Sequence, residues 1–159
     1  MPIVLLRVDE RLIHGQVVLG WGSHLRPDRY VVVDDDLASS DWEQELYRIG
    51  AGSSEVLFCS VEEARGRLPE WREAPPRSIL LARDVATVRR LADGGLLSGV
   101  TINLGGLHHG PGRRELLSYL HLSDEEVQIL ASLEDEGVEV WAQDLPDAPK
   151  VSSRSLRGG

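Results

Sequence analysis

The strongest constraint on this chain is an alternation. Short apolar runs at residues 3–8, 30–33, 55–59, 78–82, 100–104 and 138–141 are separated by stretches whose apolar residues recur at helical spacing. Runs this short and continuous are what strands buried on both faces need, and helices between them are the usual crossovers of a parallel sheet. Residues 15–25 carry Val17, Val18, Trp21 and Leu25 on one stripe, and residues 41–49 read as a second helix, closed by Gly50 and Gly52. Ser60 with Glu63, and Ser123 with Glu126, have the spacing of capping boxes and open two more. Asp84 caps a helix with Val85, Val88, Leu91 and Ala92 on its stripe, ended by Gly94 and Gly95. Residues 70–77 hold Pro75 and Pro76 and follow Pro69; they read as a loop. Residues 107–114 read as a polar loop, and residues 116–122 contain a short strand. The fold expected is α/β: a single three-layer domain with a mostly parallel, twisted sheet of about six to seven strands and helices on both faces. Residues 1–159 form one domain-sized unit, with 1–144 as core and 145–159 as a C-terminal tail whose end is loose.

Composition removes several classes of function. The 159 residues include 17 basic and 26 acidic side chains, a formal net charge of −9, which disfavours generic nucleic-acid binding because phosphate contacts dominate that affinity. The one cysteine, Cys59, lies in an apolar run and reads as a small buried hydrophobe; no internal disulfide can form, which fits a cytoplasmic location. The N-terminus lacks a signal-peptide pattern, and no apolar stretch reaches the length of a membrane span. Work at a membrane would therefore depend on partners. No Walker-type phosphate loop, dinucleotide-binding glycine pattern or G-x-S-x-G nucleophile elbow is present.

Chemistry concentrates where the first apolar run meets the first helix. Arg7-Val8-Asp9-Glu10-Arg11-Leu12-Ile13-His14-Gly15-Gln16-Val17 puts two arginines, two carboxylates and one histidine at the carboxyl end of a strand, where ligands bind in open α/β sheets. A helix start adds unpaired backbone N–H groups that suit an anion. A neutral imidazole is a fair nucleophile near neutral pH, and phosphoryl transfer needs mostly positioning and charge stabilisation. In this arrangement Asp9 accepts a hydrogen bond from the N–H of one ring nitrogen of His14 and leaves the other free. Arg11 pairs with phosphoryl oxygens, and the backbone at Gly15 and Gln16 supplies further donors. A plain helix-start histidine has the same spacing, so the pattern alone leaves both readings open. A metal site of His14, one of His108 and His109, and Asp34 is the weaker alternative, because adjacent histidines point apart. Asp34-Asp35-Asp36 reads as a solvated run in preference to a phospho-acceptor aspartate.

Residues 7–17 closely resemble the active-site signature of the IIB subunits of the mannose/fructose/sorbose family of the bacterial phosphoenolpyruvate-dependent sugar phosphotransferase system. Val32-Val33-Asp34-Asp35-Asp36-Leu37-Ala38, Leu91-Ala92-Asp93-Gly94-Gly95, Asn103-Leu104-Gly105-Gly106-Leu107-His108, Ser123-Asp124-Glu125-Glu126 and Pro146-Asp147-Ala148-Pro149-Lys150-Val151 follow in family order. The resemblance implies a transferase that accepts a phosphoryl group on His14, at Nδ1, from a phosphorylated IIA protein and passes it to a sugar carried by membrane IIC and IID subunits. It implies no dissociable cofactor, Arg11 as phosphate holder, and a cytoplasmic protein held at the inner membrane face through its partners; a homodimer is left open. The chain departs from the family at Arg83, where Thr, Ser or Lys is common, and in the loop His108-His109-Gly110-Pro111-Gly112. Arg83 adds positive charge if its strand end borders His14. A histidine-phosphorylated regulatory domain without sugar transport is the alternative, since both uses need the same acceptor.

Overall fold

In a computed structural model, which describes residues 2–157, seven strands form one sheet in the order β3-β2-β4-β1-β5-β8-β9. The strands are β1 (Ile3–Val8), β2 (Arg29–Val33), β3 (Glu55–Cys59), β4 (Ser78–Ala82), β5 (Thr101–Leu104), β8 (Glu139–Ala142) and β9 (Val151–Ser152). Between β5 and β8 the chain makes a separate antiparallel hairpin, β6 (Arg113–Leu117) and β7 (Leu120–Ser123). All pairings in the main sheet are parallel except β8 with β9.

Helices α3 (Val61–Glu73), α4 (Val85–Ala92) and α5 (Asp124–Asp135) cover one face. Their buried Leu68, Trp71, Val88, Leu91 and Leu133 join Leu6, Val8, Leu80, Ile102 and Val140 in the larger core. The opposite face carries a π-helix (Gln16–Gly22), the short α1 (Ser23–Leu25) and α2 (Asp41–Gly50). There Leu12, Ile13, Val17 and Leu37 pack on Tyr30, Val32, Ile79 and Leu81. Alternate strand residues thus feed two cores, as period-two geometry requires, and the result is the three-layer arrangement expected.

Both capping boxes form: Ser60 and Glu63 exchange bonds of 3.1 and 3.0 Å, and Ser123 and Glu126 bonds of 3.1 and 2.9 Å. Four expectations need correction. The first helix is wound as a π-helix before its last turn. Helix α3 continues through Pro69 to Glu73, where a loop was expected; proline keeps a helical φ, and burial of Leu68 and Trp71 offsets the lost backbone bond. The stretch around 113–123 is a two-stranded hairpin, with its first strand starting inside the expected polar loop. Finally, Val151–Ser152 and α6 (Ser153–Arg157) are docked where a loose tail was expected. Glu134 on α5 holds them, accepting from Ser153 Oγ, from Arg154 Nε at 2.6 Å and from Arg157 Nη2 at 3.2 Å. Gly158 and Gly159, the rest of that tail, lie outside the described residues.

Candidate functional site

The turn after β1 lies where neighbouring connections leave the sheet on opposite faces. The connection from β1 crosses to β2 over the π-helix side, whereas α4 and α5 carry the chain to β5 and β8 over the other. Such divergence opens a crevice at the carboxyl ends of the strands. Asp9 N–H still bonds Ala82 O at 2.9 Å, and Glu10 N–H bonds Gly106 O at 2.9 Å, so the turn is anchored to both flanking strand ends. Leu12 then adopts φ 55°, a left-handed conformation that costs a branched, non-glycine residue on the order of 1 kcal/mol. Its side chain is fully buried, which holds the turn in this shape.

Asp9 is the hub. Its Oδ1 accepts from the Arg11 backbone N–H at 3.1 Å. Its Oδ2 accepts from Gly106 N–H at 3.3 Å and from Arg7 Nη2 at 3.3 Å, and lies 3.2 Å from His14 Nε2. Burial pushes the Asp9 carboxyl up, but His14, the Arg11 N–H and the Arg7 guanidinium outweigh it and hold the group at about 2. The carboxylate is therefore ionised and acceptor-only.

His14 is partly exposed, at 14% of its side chain. Nε2 is shut off from solvent, 3.2 Å from Asp9 Oδ2 but without the alignment of a hydrogen bond. No hydrogen bond to Nδ1 is made among the described residues. The N–H groups of Val17 and Val18 are taken by His14 O at 3.1 and 3.0 Å, whereas those of Gly15 and Gln16 have no backbone acceptor among the described residues. Arg11 is 42% exposed, sits 3.7 Å from Asp9 Oδ1 through Nε, and donates from Nη2 to Gln16 Oε1 at 2.8 Å. A Cβ at Gly15 would meet nothing within 4 Å, and its φ of −52° is ordinary; glycine there leaves open space beside the ring.

Asp9, Arg11, His14, Gly15 and Gln16 are thus brought together. Arg83 follows β4 and is adjacent in register to the residue after Val8 and to Asp34. Its Nε lies 3.3 Å from Asp34 Oδ2, so its charge is engaged on the β2 side. His108 pairs with Glu10 at 2.8 Å, whereas His109 packs edge-on against His121 at 5.9 Å. Among the described residues no three His, Cys, Asp or Glu side chains are grouped as metal ligands.

Sequence reasoning missed the floor of the site. Arg7 is fully buried, bonded to Asn103 Oδ1, to Gln143 O at 2.8 Å and to Asp144 O at 3.0 Å. A Cβ on Gly105 would come within 2.3 Å of the Arg7 guanidinium carbon, so any side chain there would displace the guanidinium. The signal available was a charged residue inside an otherwise apolar strand. A cavity of about 510 Å³ lined by Trp21, Asn103, Trp141 and Gln143 opens elsewhere on the sheet and includes none of residues 9–16. At the turn itself Arg11 is the more exposed side chain and His14 the less. No helix among the described residues is long and apolar enough to cross a membrane.

The family model described as "PTS system sorbose subfamily IIB component" matches residues 3–156. The N-acetylgalactosamine-specific phosphotransferase enzyme IIB component 1 of Escherichia coli K12 is 33% identical over 151 residues, covering 93% of this chain and 94% of that protein. The fructose-specific EIIB component of Bacillus subtilis is 28% identical over 159 residues, covering 99% and 97%. The crystal structure of the IIB domain of the sorbose permease from Klebsiella pneumoniae superposes with a TM-score of 0.87 at 25% identity, covering 99% of this chain and 97% of that one.

Proposed function

The chain belongs to the sorbose subfamily of phosphotransferase-system IIB components, and from that premise we propose that His14 is its phosphoryl carrier, with Nδ1 as the attacking atom. Members of the family are phosphotransferase components that accept the group from a IIA protein and transfer it to sugar, working with IIC and IID partners; the purely regulatory alternative is not favoured.

One observation carries the assignment of His14: its Nε2 is closed off against an ionised Asp9, so the other nitrogen is the one with a free lone pair. The 3.2 Å contact is not aligned as a hydrogen bond in this structure; such alignment commonly completes only when the reacting partner is bound. Nδ1 then attacks the phosphorus of a phosphohistidine on IIA while the donor's P–N bond breaks. The transferred oxygens face Arg11 and the unpaired N–H groups of Gly15 and Gln16, donors already held in place by Gln16 Oε1 and the fixed turn. Arg83 serves as a second, more distant positive charge, held back by Asp34 until a phosphoryl group competes for it. The open space at Gly15 admits two different proteins in turn. The protein works at the cytoplasmic membrane face, held by its IIC and IID partners. The chain is one working unit over residues 1–159, its tail included.

The decisive experiment supplies phosphorylated IIA carrying labelled phosphate and maps the modified residue, then adds IIC, IID and sugar. Label on His14 that later moves to sugar supports the assignment; label on any other residue overturns it.

A further inference from the structure

We propose that Arg7 is a positioning residue for this reaction: it clamps the Asp9 carboxylate from beneath and thereby fixes which nitrogen of His14 carries the proton. The inference rests on the reading of His14 as phosphoryl carrier and adds a residue that touches neither the phosphoryl group nor the ring.

Four structural units converge on the Arg7 guanidinium. Asn103 on β5 and the carbonyls of Gln143 and Asp144 after β8 accept from it. The indole of Trp21 on the π-helix lies 5.3 Å away, and Gly105 leaves the space the group fills. Asn103 Oδ1 and the two carbonyls are neutral. Among the described residues the one carboxylate within ion-pairing distance is Asp9, at 3.3 Å, so the charge of Arg7 is answered chiefly there. Both side chains are fully buried, where Coulomb attraction is least screened.

The same oxygen, Asp9 Oδ2, faces Arg7 Nη2, Gly106 N–H and His14 Nε2, while Oδ1 faces the Arg11 N–H and, further off, Arg11 Nε. These are the groups that surround the carboxylate from β1, the turn and the segment after β5. An ionised carboxylate can only accept, so Nε2 must donate and Nδ1 keeps its lone pair. A protonated carboxyl would donate to Nε2, placing the ring proton on Nδ1 and removing the nucleophile. Burial by itself favours the protonated form; His14, the Arg11 N–H and the buried cation together oppose it.

The test uses the full chain, histidine-labelled with nitrogen-15, as wild type, Arg7→Met, Arg7→Lys and Asn103→Asp. The last draws the guanidinium toward position 103 without removing it. Two quantities are read: the tautomer of His14 from its ring nitrogen shifts, and the saturation curve for transfer from phosphorylated IIA. The wild type should hold its proton on Nε2. Arg7→Met should give mixed tautomers and a maximal rate about 10²-fold lower with unchanged half-saturation; Arg7→Lys, which restores the charge, should recover much of both. Asn103→Asp should move both readouts in the direction of Arg7→Met. A folded Arg7→Met chain with a single Nε2-protonated tautomer and a wild-type rate overturns the proposal. If that variant does not fold, unchanged tautomer and rate in Asn103→Asp overturn it. A wild-type ring protonated on Nδ1 defeats this inference alone, whereas a wild type that takes no label on His14 defeats the phosphoryl-carrier reading beneath it.

Discussion

His14, Asp9 and Arg11 act at the scale of single side chains, and their separate losses should look different. His14→Ala should abolish labelling from phosphorylated IIA while circular dichroism stays close to wild type, the urea midpoint falling only by what Asp9 loses with the ring. Arg11→Ala should lower the transfer rate about 10²-fold with the label still on His14, because Arg11 is half-exposed and supports little of the fold. Asp9 has a pH signature. Its carboxyl is held at about 2 in the folded chain, against an ordinary 3.8. A depressed carboxylate contributes stability that is fully present above the unfolded value and disappears as pH falls through the folded one. Urea unfolding should therefore lose about 2 kcal/mol between pH 5 and pH 2 through this group, and Asp9→Asn should lack that part of the acid sensitivity. The local turn chemistry was legible in residues 7–17 because every group in it is near its neighbours along the chain. Arg7 with Asn103 and Gly105 was not, because that floor exists only once β1 and β5 pair with Arg7 opposite Asn103.

At the scale of elements, capping and periodicity read well and non-local pairing read poorly. Ser60, Asp84 and Ser123 each cap the helix expected of them. The β6–β7 hairpin escaped because its first strand, Arg113–Leu117, begins with two arginines and a glutamate and has little of the apolar alternation that marks a strand. Arg113 explains how it is held. Its guanidinium pairs with both oxygens of Glu126 at 3.0 Å, with His108 O at 3.0 Å and with Glu10 of the turn after β1. Arg113→Ala should loosen three elements together, lowering stability by about 1–3 kcal/mol and speeding amide exchange in Leu120–Ser123 and the first turn of α5. Wild-type exchange there would remove Arg113 as the tie. Helix α2 shows a different limit: Trp42, Leu46 and Ile49 share one face, yet all three are exposed. Spacing identified the helix but not which way its apolar stripe points.

The whole molecule shows what the tail contributes. Strand β9 runs antiparallel along β8, so the edge of the sheet beyond β8 is covered, and α6 is tied back to α5 through Glu134. Deleting residues 151–159 should expose that edge and strip Glu134 of its partners. We expect a melting temperature lower by several degrees, about 2–4 °C for each kcal/mol lost, and more self-association, with His14 still accepting phosphate. An unchanged melting curve would mean the docking carries no stability. The layered α/β plan was legible throughout because every buried strand announces itself as an apolar run. The tail was misread because Pro146, Pro149 and three serines look like linker composition, and two-residue pairing leaves no periodicity to detect.

The left-handed backbone at Leu12, fastened by its buried side chain, bears on traffic between proteins. A loop shaped in advance asks no visiting protein to spend contact energy on moulding it. Each encounter can then remain brief and loosely bound while still being productive. For a middleman that must release one associate before meeting the next, short residence on both sides is what keeps cargo flowing.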